Sequence, residues 1–350
     1  MADTVRAGVA GSGSLREVHG EATIGHTGAI GVDLGGTNLK LALLDGEHRI
    51  VERVIVPTGG AEGHDAVLSR MIDGIADLRA GAPALAVTGI GIGVPGDVDM
   101  ATGVTGELPN LPGGWIDVPV GATVARATGI PVGLINDAKA FALAEHRIGA
   151  AAGADTAVFV TIGTGVGGAV VAHGQLVYGV GAAAGEIGHM ILQPDGPRCT
   201  CGNLGCLEPL ASGPAITAEA VRRVVQGFTT ALTHRCGGDL NAITPDLVAR
   251  VADDGDPMAM DILDRAGSWL GTALAGEIAL LAPEVVVIGG GVAPAGSRYL
   301  LAAVATARAR TGVIDIDRVD FRPAALGYDA GVIGAALWGR EHATAGDHHD

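Results

Sequence analysis

His189 is followed closely by Cys199-Thr200-Cys201-Gly202-Asn203-Leu204-Gly205-Cys206, and no other stretch of the chain narrows its fold so far. Three thiolates and one imidazole form the closed tetrahedral donor set of a structural Zn²⁺ site, and Gly202 and Gly205 permit the tight loop such a chelate requires. A chance cluster of buried cysteines would use the same residue types. Asp3, Arg6, Arg16 and Glu17 have no apolar run between them, so no signal peptide is visible at the N-terminus. Clustered cysteines without a secretion signal favour metal binding in a reducing, cytoplasmic compartment over disulfides. With four protein ligands, the metal shapes a loop and has no open position for activating water. Cys236 lacks such partners and reads as an ordinary small residue. His234, His342, His348 and His349 read as solvent-exposed.

A chain of 350 residues is long enough for two domains or one bilobal unit. Hydrophobic residues make up 48% but aromatics only 3%, so the core is built from Val, Ile, Leu and Ala. Alternation and turn residues predict strands over 29–34, 39–44 and 50–56, and an apolar stripe predicts a helix over 64–80. A buried strand over 85–94 ends at Pro95-Gly96, and a Pro- and Gly-rich loop runs over 108–114. A helix then leads to a strand over 131–135, which stops at Asn136-Asp137. A similar plan restarts with strands over 157–163 and 168–173 around a glycine turn. A helix over 263–281, a strand over 285–288 and a last helix over 331–338 follow. Two halves, each a glycine-hinged hairpin followed by βα elements, imply two similar lobes around a cleft. Residues 1–28 are small, polar and glycine-rich and read as a disordered extension, too short for a helix-turn-helix domain.

The formal charge is 22 − 38 = −16, which repels phosphodiester backbones and argues against general nucleic-acid binding. It also repels ATP, so a nucleotide site here needs Mg²⁺ and a local nest of backbone N–H groups. No run of apolar residues is long enough to read as a membrane span.

Three glycine clusters bear on that need. Asp33-Leu34-Gly35-Gly36-Thr37-Asn38, with Lys40 beyond, joins two predicted strands; its glycines let backbone approach a phosphate, and Asp33 suits a hydrated Mg²⁺. A plain hairpin turn would look the same. Gly163-Thr164-Gly165-Val166-Gly167-Gly168 has dinucleotide-like spacing, but a strand follows it where a Rossmann fold needs a helix. It serves equally as a second phosphate loop or as a structural hairpin. Gly289-Gly290-Gly291 would pack on a nucleobase or ribose, or simply turn strand into helix. Asp137, at the end of a buried strand, is placed either to accept a hydroxyl proton or to cap the next helix. Zinc would take one ring nitrogen of His189 and leave the other to face a ligand. Glu186 and Glu208 flank that site and suit sugar hydroxyls, or else stand as solvated carboxylates.

Taken in order, DLGGTN at 33–38, GIGVPG at 91–96, LPNLPGGW at 108–115, NDAKA at 136–140, GTGVGG at 163–168, GEIGH at 185–189 and CTCGNLGCLE at 199–208 resemble the ROK family of sugar kinases and sugar-responsive repressors. The resemblance runs from about residue 31 to 338. It implies an α/β, actin-like ATPase (ribonuclease H-like) fold, with an N-terminal lobe over 29–138 completed by a C-terminal helix near 328–342, and a second lobe over 139–327 carrying the zinc loop. It also implies ATP, Mg²⁺ and a structural Zn²⁺. By motif position, Asp33, Gly35, Gly36, Thr37, Asn38, Lys40, Thr164, Gly165, Gly290 and Gly291 would contact nucleotide, and Asp137 would be the base. Gly96, Asn110, Asn136, Asp137, Glu186, His189 and Glu208 would contact sugar, and His189, Cys199, Cys201 and Cys206 would hold zinc. A homo-dimer or homo-tetramer is the assembly the resemblance implies. The expected activity is phosphorylation of a hexose at its 6-hydroxyl, with glucose first, and an amino or N-acetylated hexose or fructose as the alternative. A non-enzymatic sugar-responsive regulator is the competing class.

Overall fold

The structure is a computed structural model that describes residues 15–18, 27–108, 111–292 and 297–345. The chain divides into two compact units. The first runs to Asn136 and takes in the chain again from Ala335; the second runs from Asp137 to Gly334.

The first unit comprises β1 (Leu15–Val18), β2 (Thr27–Leu34), β3 (Asn38–Leu44), β4 (Ile50–Pro57), α1 (His64–Gly81), β5 (Ala86–Val94), β6 (Val98–Asp99), β7 (Val104–Thr105), α2 (Val120–Thr128) and β8 (Val132–Asn136). Its main sheet has the order β1-β4-β3-β2-β5-β8. β2, β3 and β4 form an antiparallel meander, while β5 and β8 run parallel to β2. Ala29, Ile30, Val32 and Leu34 of β2 are buried, as expected for a central strand covered on both faces. β1 falls inside the 1–28 segment that the sequence reads as an extension. Leu15–Val18 pairs antiparallel with β4, where it supplies backbone partners to what would otherwise be an open sheet edge. The rest of that extension, up to residue 26, lies outside the described residues.

The second unit comprises α3 (Asp137–Arg147), β9 (Ala157–Ile162), β10 (Val166–Ala172), β11 (Gln175–Leu176), α4 (Glu208–Ala211), α5 (Gly213–Val225), α6 (Leu232–Arg235), α7 (Pro245–Asp253), α8 (Pro257–Leu281), β12 (Val285–Gly289), α9 (Ser297–Arg310) and β13 (Asp320–Pro323). The last helix, α10 (Ala330–Ala345), begins here and continues into the first unit. The sheet order is β11-β10-β9-β12-β13, with a meander followed by two parallel strands. That is the same plan as β4-β3-β2-β5-β8. The duplication anticipated from the two glycine-hinged hairpins is therefore present strand for strand.

Several helices were not foreseen. α5, α7 and the first turns of α8 start at Ser212, Thr244 and Asp256, whose side chains accept the N–H groups of Ala215, Leu247 and Ala259, and each helix carries Pro in its first turn. This capping residue plus early proline is a sequence signal that periodicity alone passes over. α10 runs past the apolar stretch 331–338 and lies close to the helix near 328–342 that the resemblance implies, and its packing explains the alternating glycines of β5. A Cβ at Gly91 would run into the Ala335 carbonyl, and one at Gly89 into the Gly339 carbonyl. His342, expected in solvent, is half-buried with its ring 5.9 Å from that of Trp338. No helix among the described residues is long and apolar enough to cross a membrane.

Candidate active site

In the first unit, the turn between β2 and β3 closes with Gly35 N–H donating to the Asn38 carbonyl at 3.1 Å. A side chain at Gly35 would press on that carbonyl at 2.8 Å, so the turn is as tight as its glycines suggested. Lys40 Nζ lies 3.0 Å from Asp33 Oδ2, both about four-fifths buried, so these two phosphate-loop candidates meet each other. Gly96 adopts φ +88, and its carbonyl accepts from Asn136 Nδ2 at 3.1 Å. Asn110 lies outside the described residues.

In the second unit, Asp137 is the exposed first residue of α3, and its Oδ1 accepts from the Ala138 N–H at 2.8 Å. That contact holds the carboxylate against the first turn of α3. Two residues on, Lys139 is fully buried. Burial holds its ammonium below the ordinary lysine value, and the negative charges of Glu186 and Asp137 act in the opposite direction. Sequence reading assigned Lys139 no role. A lone cation in the apolar run Ala138-Lys139-Ala140-Phe141-Ala142 was the available signal.

The cysteine loop is held by its own backbone. Cys199 N–H donates to Asn203 O at 2.8 Å, Gly202 N–H to Cys199 O at 3.0 Å and Gly205 N–H to Pro197 O at 2.8 Å. Gly202 (φ +93) and Gly205 (φ +71) both need the left-handed region. The four candidate ligand atoms of His189, Cys199, Cys201 and Cys206 lie within 4.8 Å of one another, and all cysteines are free thiols. Cys201 Sγ is 3.7 Å from Cys206 Sγ, and Cys199 Sγ is 3.6 Å from His189 Nδ1. A tetrahedral Zn²⁺ with bonds of about 2.3 Å to sulfur and about 2.0 Å to nitrogen has edges of roughly 3.5–3.8 Å, so these pairs already match the chelate. Burial and the neighbouring thiols push the Cys206 thiol up to about 12, whereas the Asn203 backbone N–H holds Cys201 below its ordinary value.

Glu208 links this loop to the second glycine turn. Its Oε2 accepts from Val166 N–H at 3.1 Å, and its Oε1 from the Thr200 hydroxyl at 3.4 Å. A Cβ at Gly165 would meet Glu208 Oε2 at 2.5 Å, so a side chain there would press on that carboxylate. The 163–165 turn is further held by Gly213 N–H donating to Gly163 O at 3.0 Å. Glu186 is exposed, and its carbonyl accepts the His189 N–H at 3.0 Å. Gly290 (φ +97) fits closely against the Ile162 backbone, which gives it a packing reason, whereas Gly291 faces open space.

The family model described as the ROK family matches residues 29–342. The chain belongs to the ROK family. Among ROK relatives, it is 36% identical to the glucokinase of Thermotoga maritima across 88% of this chain and 95% of that protein. It is 33% identical to the N-acetylmannosamine kinase of Escherichia fergusonii across 88% of this chain and 97% of that one. The crystal structure of a ROK family glucokinase from Streptomyces griseus, in complex with glucose and AMPPNP, overlays with TM-score 0.77 at 32% identity, across 90% of this chain and 99% of that one. The fold is thus the actin-like α/β fold of the ROK sugar kinases.

Proposed function

We propose that this ROK protein is an ATP-dependent hexose kinase that transfers the γ-phosphoryl group to the 6-hydroxyl of glucose. The observation that carries the reading is the near full-length likeness to a glucokinase whose structure holds glucose and an ATP analogue. The N-acetylmannosamine kinase relatives favour an N-acetylated hexose as the second substrate reading, and discrimination of that kind rests on about 1–3 kcal/mol of pocket contacts.

In this mechanism Asp137, at the start of α3, accepts the proton of the attacking hydroxyl. The buried Lys139 balances the local negative charge of Asp137 and Glu186. Gly96, Asn136, Glu186, His189 and Glu208 orient the sugar, with Asn110 in the same set. The 33–38 turn and Thr164-Gly165 present backbone N–H groups to the phosphates. Lys40 pairs with Asp33, and Asp33 would help hold a hydrated Mg²⁺ ion, which would neutralise phosphate charge. His189, Cys199, Cys201 and Cys206 suit one structural Zn²⁺ that would stiffen the loop beside Glu208. Four free thiols suit a reducing compartment, the cytoplasm in this reading, and a homo-dimer or homo-tetramer is the proposed assembly.

An ADP-release assay over glucose, fructose, N-acetylmannosamine, N-acetylglucosamine and kanosamine tests the reading. Glucose is expected to give the highest kcat/KM. ADP release with no sugar of the panel would overturn it.

A further inference from the structure

We propose that Thr58 is the positioning residue of the 33–38 turn, acting through a brace that ends on helix α1. The proposal rests on the reading of that turn as a phosphate cradle. Thr58 follows β4 and is fully buried. Its hydroxyl donates to the Gly35 carbonyl at 2.6 Å, and its N–H donates to the Thr37 carbonyl at 2.9 Å. Its own carbonyl accepts from Arg70 Nη1 at 3.0 Å, and Arg70 Nη2 pairs with Glu62. Arg70 stands on α1, whose Val67, Leu68, Met71, Ile75 and Leu78 are buried in the core of the first unit.

The chemistry of anion binding gives these contacts their meaning. A phosphate is held by N–H donors and repelled by carbonyl oxygens. Thr58 occupies two carbonyl oxygens of the turn with donors. In a planar trans peptide, the C=O and the following N–H point in opposite directions. Fixing the Gly35 and Thr37 carbonyls toward Thr58 therefore fixes the N–H groups of Gly36 and Asn38 away from it. The connecting segment has little slack. Gly59 takes φ +65, a Cβ at Gly60 would meet Pro112 Cδ at 3.2 Å, and one at Gly113 would meet Gly63 Cα at 2.8 Å. The turn is thus referenced to a packed helix, and a shift of Thr58 would re-aim its donors.

Thr58→Val keeps the shape and removes only the hydroxyl. Calorimetric titration of the full chain with Mg²⁺-AMPPNP, and separately with glucose, reads the two ligands apart, and hydrogen exchange at Gly36 and Asn38 reads the turn without either. The expected result is analogue binding weakened about ten-fold or more, unchanged glucose affinity, faster exchange at those amides, and recovery in Thr58→Ser. Equal analogue affinity in Thr58→Val and wild type, or an equal loss for both ligands, would overturn the proposal. Should Thr58→Val not fold, Arg70→Met tests the outer end of the brace: a nucleotide-selective loss supports it and wild-type affinity contradicts it. If wild-type protein binds no analogue, the kinase reading fails, and the exchange comparison alone judges the brace.

Discussion

Oε2 of Glu208 accepts a hydrogen bond from the Val166 N–H at 3.1 Å, which joins the cysteine loop to the glycine turn between β9 and β10. The sequence motif placed Glu208 beside sugar; the structure adds that the same carboxylate holds two loops together. Val166 is buried, so removing the acceptor leaves its N–H without that partner. Glu208→Ala is expected to lower stability by about 1–3 kcal/mol and to reduce kcat/KM for the hexose. Chemical denaturation and steady-state kinetics on one preparation measure both, and an unchanged stability would contradict the link.

Metal content separates the two kinds of cysteine. Cys206→Ala breaks the proposed four-ligand set and should abolish stoichiometric zinc in the purified protein, with a clear fall in Tm. Cys236 is buried elsewhere, with its Sγ 3.5 Å from Thr233 O, and Cys236→Ala should keep its zinc. Atomic absorption on both variants is the check. Zinc retained in Cys206→Ala, or lost in Cys236→Ala, would count against the ligand assignment.

Asp256 gives a pH-dependent contribution to stability. Burial alone would raise its pKa, but hydrogen bonds from the N–H groups of Ala259 and Ala231 and from the Thr230 hydroxyl outweigh burial and hold it below the ordinary 3.8. The folded-state value is depressed, so the contribution is present above 3.8 and is lost as the pH falls through the folded-state value. Asp256→Ala should cost about 1 kcal/mol at neutral pH, and its deficit against wild type should shrink below that value. Urea midpoints measured across acidic and neutral pH test this. A deficit that stays constant across the series would contradict it.

Gly91 faces the backbone of α10 so closely that any side chain must displace the helix. Gly91→Ala is expected to destabilise the protein by about 1–3 kcal/mol, read as a lower denaturation midpoint. A variant as stable as wild type would mean that α10 does not pack there.

The hairpins and the cysteine loop were legible because their signals are local. Alternation marks β2–β4 and β9–β10, and glycine marks their turns. The spacing of His189, Cys199, Cys201 and Cys206 allows one loop to close on itself. What sequence reading lost depends on neighbours distant along the chain. The glycines of β5 read as part of a buried strand, and only the arrival of α10 at Gly89 and Gly91 explains why they are glycines. Thr58 is an ordinary residue after a strand until its hydroxyl is seen on Gly35. Gly290, expected near a nucleotide, has an architectural reason in the Ile162 backbone. α5, α7 and the start of α8 are marked by a capping side chain paired with an early proline, a local signal that apolar period does not carry.

The most direct test of the central claim is single-turnover transfer from γ-labelled ATP to glucose by wild-type protein and by Asp137→Asn, with glucose affinity titrated on both. A positioned base contributes about 10²–10⁴-fold, so the variant should bind glucose as wild type does and transfer phosphate slower by that factor. Transfer at the wild-type rate in Asp137→Asn would contradict the account.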